Sequence, residues 1–374
     1  MTGAGASDVV VIGGGAFGLW TALACLRRGM RVTVADRAEV GGPQAASATP
    51  VGALAPYGPE RWTEAKAFQL RALAGLPEAM ARLVAESGVS VGFARTGRAV
   101  PLPDAAARAR AEAQVAAASA WDASGRMWIE DGGDWVAPGG GGVLRDDLTA
   151  RVDPPRLLAA LRAACLASGA VLREGWAFRG WDGAEAAFDR GRIGARVCVL
   201  AAGAECFELV PGLAGGPVHG RAARLRLRAP EGAPVIGAPG LWVVPHADGT
   251  VAVGSTSDPG RGEGTDPAAL DAVIDRARGL CPALASSPVL ARWEGLRPRA
   301  ASRRPVLGAV PGRPGLILAT GGMGVGLALA PLLGEAAAAL AAGEDPALPA
   351  GFAPEVAGGS DPVANPLPSG RARP

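Results

Sequence analysis

Side chains that enzymes often use for proton transfer or Schiff-base chemistry are scarce in this chain of 374 residues. It has two histidines, one tyrosine (Tyr57) and one lysine (Lys66). A mechanism that depends on one of these groups therefore has few candidates. This composition best fits a reaction in which a bound cofactor makes and breaks the bonds, while the protein binds and orients.

An excess of charge, a paired cysteine motif and a long apolar run are also absent. The formal net charge of +2 does not favour a nucleic-acid partner. The five cysteines are odd in number and include no C-x-x-C pair, which predicts buried thiols in a reducing cytoplasm rather than disulfides or a metal site. Residues 1–6 are small and polar, and the most apolar stretch, 315–340, is interrupted by Pro331 and Glu335. We therefore expect neither a secretory leader nor a membrane span.

A strand, a glycine-rich turn and a helix open the chain. The apolar run 8–12 leads into Gly13-Gly14-Gly15-Ala16-Phe17-Gly18, and the next apolar strand, 32–35, ends on Asp36. In the G-x-G-x-x-G fingerprint the glycines permit a tight turn, let backbone approach a pyrophosphate and let the helix pack closely. Asp36 follows at the spacing of the acid that binds the adenosine ribose. We predict a dinucleotide site here, and the motif alone leaves NAD and FAD both open.

A second strand–turn–helix unit lies near the other end of the chain. The apolar strand 315–320 runs into Gly321-Gly322-Met323-Gly324-Val325-Gly326 and a long helix that reaches Ala342. Its helix N-terminus would face an anionic or electron-rich group. A helix dipole aimed at the ring of a flavin stabilises the reduced anion, so this turn favours FAD. A glycine turn needed only for packing is the alternative.

Between these units the pattern changes from helices and parallel strands to antiparallel hairpins. Helices are predicted over 64–87, 105–120, 154–167 and 266–280. The runs 241–245 and 250–254 flank a turn at Asp248-Gly249, which indicates a hairpin. The Pro/Gly/Ser-rich end, 358–374, predicts a disordered tail. The length predicts about two domains.

Several segments, in the order in which they occur along the chain, resemble the D-amino-acid oxidase (DAO) superfamily of FAD-dependent amine oxidoreductases. The resemblance is greatest to its glycine oxidase (ThiO-like) branch. The resemblance extends from Asp8 to about Asp345. It rests on the opening fingerprint, the Ala46-Ser47…Gly52-Ala53-Leu54-Ala55-Pro56 loop, Gly88–Phe93, Asp153-Pro154, Val199–Ala204, Val243–Gly254, Trp293-Glu294-Gly295-Leu296-Arg297-Pro298 and Pro305–Gly321.

The resemblance implies an α/β fold like that of glutathione reductase. A discontinuous Rossmann-type FAD-binding domain would comprise 1–85, 145–215 and 300–356. An inserted α+β substrate domain with an antiparallel sheet would comprise 86–144 and 216–299, followed by a tail over 357–374.

The resemblance also implies which residues bind substrate and cofactor, including those of the two glycine turns. Arg297 matches the arginine that binds the substrate carboxylate, for which guanidinium geometry is suited. Trp242 and Met323 are expected to shape the substrate pocket, so these three are the predicted catalytic residues. The predicted cofactor contacts are Gly13, Gly15, Ala16, Phe17, Gly18, Asp36, Arg37, Ala46, Ser47, Gly52, Ala53, Leu54, Ala177, Ala201, Ala202, Gly203, Arg297, Gly322, Met323, Gly324, Val325, Gly326 and Leu327.

The chain also departs from the family pattern. Glycine oxidases usually carry a histidine and an Arg-Asn pair in the C-terminal turn, whereas Gly322–Gly326 has no polar side chain. The tyrosine often found before the Val-Pro strand is replaced by Trp242. The cysteine and histidine that hold covalent flavin in some relatives are missing, which predicts non-covalent FAD. Tyr57, His219 and His246 are interpreted as structural.

The predicted function is FAD-dependent oxidation of an amine or amino acid, by hydride transfer to flavin N5 and hydrolysis of the imine. Glycine, D-amino acids and N-substituted amino acids fit as substrates, with O₂ or another electron acceptor. Two alternatives stay open: a tRNA-modifying oxidase like the C-terminal domain of MnmC, and the flavin subunit of a hetero-oligomeric amine dehydrogenase. We expect no nucleic-acid or membrane partner, and a homo-oligomer is left open.

Overall fold

A computed structural model of the chain describes residues 7–261, 266 and 268–357. The predicted disordered tail lies, apart from Ala357, outside the described residues. The helices are α1 (Ala16–Arg27), α2 (Glu64–Ser87), α3 (Ala105–Ala117), α4 (Pro154–Ala167), α5 (Cys206–Leu209), α6 (Ala269–Leu280) and α7 (Gly326–Ala342). The strands are β1 (Ser7–Ile12), β2 (Val32–Asp36), β3 (Ala53–Leu54), β4 (Arg98–Pro101), β5 (Met127–Glu130), β6 (Val143–Asp146), β7 (Ala150–Arg151), β8 (Val171–Glu174), β9 (Phe178–Trp181), β10 (Glu185–Phe188), β11 (Gly191–Leu200), β12 (Gly215–Arg226), β13 (Val235–Ala238), β14 (Leu241–Pro245), β15 (Thr250–Gly254), β16 (Asp258–Pro259), β17 (Val289–Ala300), β18 (Val306–Ala309) and β19 (Leu316–Thr320).

The first sheet is built around the opening strand. Its order is β18-β19-β11-β1-β2-β8, parallel except for β18, and β10 and β9 extend it from β11. The apolar run of β1 is fully buried, as expected for a parallel strand covered on both faces. α1 and α7 pack closely, since a Cβ atom added at Gly334 would lie 2.7 Å from the carbonyl carbon of Trp20. Both predicted glycine turns therefore belong to one layer.

The second sheet carries the predicted hairpin. Its order is β16-β12-β15-β14-β13-β4-β6-β5, and β17 pairs with β12 along nearly its whole length. All pairs are antiparallel except β13 with β4. α6 packs on it through Leu270 and Ile274, in one buried cluster with Val251 and Val253. The predicted strands 241–245 and 250–254 are β14 and β15, with the predicted bounds.

Capping explains where two long helices begin. The hydroxyl of Thr63 accepts the N–H of Lys66 at the start of α2, and Gly88 ends that helix at φ +69°. Asp153 caps α4 in the same way, through the N–H of Arg156. Both helices have the predicted bounds.

Two predicted helices are shorter than expected. α3 ends at Ala117, and a 3₁₀ segment, Ala118–Ser124, replaces its predicted last residues. α6 begins at Ala269 rather than Asp266, because the Asp266 carboxylate accepts the N–H of Ala268 and holds a turn ahead of the helix.

The predicted domain boundaries fall within regular elements. The boundary between residues 85 and 86 lies inside α2, that between 144 and 145 inside β6, and that between 299 and 300 inside β17. The residue-level division into two domains stays a prediction. Among the described residues, no helix combines the length and hydrophobicity that a membrane span requires.

Candidate cofactor and substrate site

The first glycine turn is fixed by close backbone contacts. Gly13 has φ +105°, and a Cβ atom there would lie 2.4 Å from the carbonyl oxygen of Ala201. A Cβ atom at Gly18 would lie 1.9 Å from the carbonyl oxygen of Gly13. No L side chain fits either position unless the backbone moves. The glycines are thus explained by the turn and by the packing of α1 on β1.

The N-terminus of α1 is open to a ligand at Gly15. Gly15 is the N-cap residue and has no side chain to cap the helix, and a Cβ atom there would meet only the Ser47 hydroxyl, at 3.3 Å. Ser47 Oγ accepts the N–H of Ala16 at 3.0 Å, which brings the predicted small-residue loop to the same helix end. A helix N-terminus with a glycine at its N-cap and space in front of it suits a pyrophosphate, beside the Ser47 hydroxyl that caps Ala16.

Asp36 is held beside the first turn. Its Oδ2 accepts the N–H of Gly14 at 2.7 Å, and its Oδ1 accepts the N–H of Ala38 at 2.8 Å. Each carboxylate oxygen keeps a lone pair for a ribose hydroxyl. The Trp176 N–H donates to the Asp36 carbonyl at 2.8 Å, which places the following residue, Ala177, next to this corner.

Two predicted cofactor contacts already have protein partners. The backbone N–H and C=O of Ala177 are both hydrogen-bonded to Asp189. The guanidinium of Arg37 forms an ion pair with Glu205, in the segment that follows Ala201–Gly203. Their direct roles in cofactor binding stay predictions.

The second glycine turn touches the first one through Phe17. A Cβ atom at Gly322 would lie 2.6 Å from Phe17 Cζ, and one at Gly326 3.4 Å from Phe17 Cε1. The Gly326 N–H donates to the Gly322 carbonyl, and no side chain caps α7 at Val325. Thr320 Oγ1 donates to the carbonyl of Gly203, so the predicted Ala201–Gly203 segment reaches both turns.

The small-residue loop lies between the two sheets. The Cα atom of Gly52 faces the carbonyl of Val152, and an added Cβ atom would be 1.9 Å from that oxygen. Ala53 and Leu54 pair with β7. A Cβ atom at Gly254, the last residue of β15, would lie 2.8 Å from Val51 Cγ2. The loop therefore contacts the substrate-side sheet as well as the helix end of α1.

Trp242 lies on the face of the second sheet that covers this loop. It packs, together with Val51 and Ala53, on the buried side chains of Val244 and Ala252. The predicted pocket residue and the predicted cofactor loop are thus in one apolar cluster. This placement is compatible with a pocket wall, and Trp242 is half-buried there.

Arg297 lies where the second sheet meets the C-terminal turn. Its Nη1 donates to Ser255 Oγ at 2.8 Å, and its Nη2 donates to Ser257 Oγ at 2.9 Å and to the Thr256 carbonyl. Its Nε is buried and has no partner among the described residues. The guanidinium covers Gly220, where a Cβ atom would lie 2.7 Å from Arg297 Cζ.

The backbone next to Arg297 joins it to Met323. The Met323 N–H donates to the carbonyl of Pro298 at 3.1 Å. Burial lowers the pKa of the Arg297 guanidinium, and the charge of Asp258 opposes that shift. The structure thus brings the backbone of Met323 next to the strand that carries Arg297, while Trp242 pairs with Gly254, the residue before Ser255.

The three residues that hold Arg297 were not predicted from the sequence. Ser255, Thr256 and Ser257 form a short hydroxyl-rich run after β15. That run was the available signal, but its partner lies 40 or more positions away along the chain. Only the folded sheet brings the two together.

Tyr57 and Lys66 lie in and after the loop that precedes α2, whereas His219 pairs across the sheet with Leu296 and Asp258, the sequence neighbours of Arg297 and Ser257. Lys66 Nζ donates to the carbonyls of Gly58 and Glu60 and so pins the loop before α2. Burial raises the pKa of Tyr57, and the charge of Arg304 opposes this. His219 is buried, with Nε2 3.5 Å from Glu294 Oε2. None of the three is hydrogen-bonded to Arg297.

His246 contacts the small-residue loop at Pro50. Its ring is 5% exposed, and Nε2 lies 3.0 Å from the Pro50 carbonyl oxygen. Arg224 bridges Asp153 and Asp248 beside it, at 3.2 and 3.1 Å. Burial lowers the pKa of His246 from its ordinary value of 6.5, and the charge of Arg224 adds to this, while both aspartates and Pro50 oppose it.

This environment predicts a loss of stability in acid. Because the folded pKa lies below the ordinary one, the unfolded chain takes up the proton first. The stabilisation is present above about pH 6.5 and is lost as the pH falls through the folded pKa, at up to about 1.4 kcal/mol per pH unit. In urea unfolding, the free energy of unfolding should decrease less between neutral and acidic pH in His246→Gln than in the parent protein. The amide of the variant can still donate to the Pro50 carbonyl. An equal decrease in both proteins would contradict the assignment.

Taken together, the two glycine turns, the loop at Ser47 and the acid at Asp36 fit FAD. The open helix end at Gly15 suits the pyrophosphate, and the turn at Gly322–Leu327 would face the flavin. A site of this kind, next to a half-buried guanidinium, is typical of an FAD-dependent oxidoreductase.

The chain belongs to the DAO family of FAD dependent oxidoreductases, whose profile matches residues 8–340. It is 33% identical to the glycine oxidase of Pseudomonas putida, over 93% of this chain and 98% of that protein. The crystal structure of glycine oxidase from Geobacillus kaustophilus has a TM-score of 0.84 and 24% identity, and covers 93% of this chain and 98% of its own. That of iminodiacetate oxidase from Chelativorans sp. has a TM-score of 0.81 and 25% identity, with 92% and 98% coverage.

These comparisons confirm several predictions. The α/β fold of the DAO type, the FAD cofactor and the resemblance to glycine oxidases are confirmed. The protein is an FAD-dependent oxidoreductase, and FAD-dependent oxidation of an amine or amino acid is the supported reaction. Neither alternative is favoured by the relatives.

Proposed function

We propose that the protein oxidises an α-amino carboxylate or an N-substituted glycine whose carboxylate is bound by Arg297. The observation that carries this proposal is the buried Nε of Arg297, which has no partner among the described residues. The guanidinium is held in place by Ser255 and Ser257, next to the Met323 turn. A buried donor without an acceptor is costly, and a substrate carboxylate would satisfy it. The names of the relatives, glycine oxidase and iminodiacetate oxidase, support the same substrate class.

The residues of the chain bind and orient rather than transfer protons. Arg297 fixes the carboxylate, and Trp242 and Met323 bound the space above the loop. FAD, when bound, would supply the two-electron acceptor, taking the hydride with its electron pair from the amine carbon. The amine must react in its neutral form, because its lone pair assists the departure of the hydride.

Molecular oxygen is the proposed electron acceptor, and the cytoplasm the proposed location. The oxidase names of the relatives support the first proposal. The second is supported by five free cysteines, all buried, which suit a reducing compartment. Non-covalent attachment of FAD completes the proposal.

Aerobic turnover tests this function. The purified holoprotein, given glycine, N-methylglycine and D-alanine in turn, should consume oxygen and release hydrogen peroxide with at least one of them. Acid precipitation should release the FAD into solution. Reduction of the flavin without peroxide on re-aeration would refute the oxidase assignment, and a protein that cannot be reconstituted with FAD would refute the whole proposal.

A further inference from the structure

A tryptophan with no assigned role shares a sheet face with Arg297. In β17, Trp293, Gly295 and Arg297 alternate with residues of the opposite face. One of those residues is Glu294, whose carboxylate lies 3.5 Å from His219 Nε2. Side chains two positions apart in a strand point to the same face. Trp293 and Arg297 therefore lie on one face of the second sheet, with Gly295 between them.

The same face contacts the small-residue loop. Trp293 pairs with Ala222 of β12. Ala222 pairs in turn with Gly254 of β15, which pairs with Trp242 of β14. The loop lies directly on this row of residues, because a Cβ atom added at Gly254 would be 2.8 Å from Val51 Cγ2. The two tryptophans thus stand at the two ends of a row whose middle is covered by the predicted cofactor loop.

The side chains of Trp293 and Arg297 lean toward each other over a pair of glycines. A Cβ atom added at Gly295 would lie 2.4 Å from Trp293 Cζ2, so the indole lies on that residue. The guanidinium lies on Gly220 in the same way, with Arg297 Cζ 2.7 Å from an added Cβ atom. Gly220 and Gly295 are cross-strand partners, and Cβ positions of such partners are about 4.5–5.5 Å apart. The indole and the guanidinium are therefore neighbours.

Both of these side chains have a buried N–H group without an acceptor. Trp293 Nε1 and Arg297 Nε are buried, and neither has a hydrogen-bond partner in the part of the chain that the structure describes. Buried donors without acceptors are costly, and two on neighbouring side chains indicate a shared ligand. An indole and a guanidinium can only donate, so the ligand must accept. A carboxylate has two acceptor oxygens and can satisfy both donors.

We propose that Trp293 is a further carboxylate-binding residue, whose indole N–H donates to the substrate carboxylate bound by Arg297. This inference rests on the proposed function, which supplies that carboxylate. One oxygen accepts from Arg297 Nε and the other from Trp293 Nε1, so the pair fixes the orientation of the carboxylate as well as its position. The amine keeps its lone pair free, because neither donor is needed there.

Anaerobic reduction of the flavin tests Trp293 without removing an aromatic ring from the position. Trp293→Phe keeps an apolar ring and lacks the N–H group. The holoprotein is mixed with increasing concentrations of a test amino acid that reduces the parent flavin, which gives a dissociation constant and a limiting rate. The dissociation constant should rise at least about tenfold in the variant, through loss of a hydrogen bond to a charged group. The limiting rate should stay within about twofold, because the lost interaction is made equally before and during reaction.

Trp128→Phe is the matched control. It removes an indole N–H from the same sheet, where Trp128 Nε1 donates to Glu130 Oε2 at 3.1 Å. Trp128 lies in β5, the edge strand that pairs with β6. The dissociation constant and the limiting rate should both stay at the parent values. In both variants the FAD affinity and the flavin spectrum without substrate should be unchanged, since the N–H of Trp293 is assigned to the substrate and not to the cofactor.

The outcomes separate this inference from the proposed function. An unchanged dissociation constant in Trp293→Phe refutes the indole contact and leaves the proposed function standing. An altered flavin spectrum or a loss of FAD affinity in Trp293→Phe refutes it too, because the indole would then act on the cofactor or on packing. If none of N-methylglycine, glycine and D-alanine reduces the parent flavin, both the inference and the proposed function are refuted.

Discussion

Replacing Arg297 by alanine is expected to weaken the binding of carboxylate substrates by about 2–5 kcal/mol, the cost of truncating one member of a buried charge pair. That range corresponds to a rise of about 30-fold to several thousand-fold in the dissociation constant. The guanidinium is mostly buried and is oriented by three contacts, so little of its interaction is screened by solvent. The measurement is anaerobic titration of the holoprotein with N-methylglycine.

Two variants control this result. Arg292→Ala removes an exposed arginine from the same strand and should leave the dissociation constant unchanged. Arg297→Lys keeps the charge but loses the planar pair of donors, so it should recover only part of the affinity. Unchanged affinity in Arg297→Ala, with its FAD content normal, would reject the carboxylate role.

Replacing Gly18 by alanine is the second change with a large expected effect. The new methyl group would lie 1.9 Å from the carbonyl oxygen of Gly13 and 3.3 Å from Val11 Cγ1. Both neighbours belong to a packed strand and turn, so α1 must move away from β1. We expect a loss of about 2–3 kcal/mol in the free energy of unfolding. FAD affinity should fall by at least about tenfold, because the same turn positions the helix end at Gly15.

Gly75→Ala is the matched control, with an effect of the opposite sign. Gly75 lies inside α2, and a Cβ atom there would meet nothing within 4 Å. Alanine should stabilise the helix by up to about 1 kcal/mol and leave FAD binding unchanged. Denaturant unfolding and flavin release report the two quantities separately. A Gly18→Ala protein as stable as the parent would show that α1 does not pack as described.

Local signals made much of the fold predictable. The opening strand, α2 and α4 are each marked by an apolar run, a cap or a stop within a few residues, and those marks determine their ends. No pattern in the sequence predicts β6, which directly follows the four glycines 139–142. Its strand character comes from pairing with β4 and β5 rather than from its own residues.

The site was predictable in its parts but not in its assembly. The two glycine turns have recognisable patterns, yet only the structure shows that Phe17 joins them. Arg297 follows from the family resemblance, whereas its hydroxyl partners depend on the juxtaposition of β15 and β17 with β12. The pairing of Arg37 with Glu205 likewise depends on parallel strands that are distant in sequence. Contacts of this kind arise from long-range packing that no local pattern encodes.

One measurement tests the central claim, that a carboxylate at Arg297 places an amine for oxidation by FAD. The holoprotein is mixed anaerobically with N-methylglycine and, separately, with dimethylamine, which is the same amine without the carboxylate. We predict that mixing with N-methylglycine abolishes the visible absorbance of the oxidised flavin. Dimethylamine at the same concentration should leave that absorbance unchanged. Equal reduction by both amines would contradict the claim, as would reduction by neither.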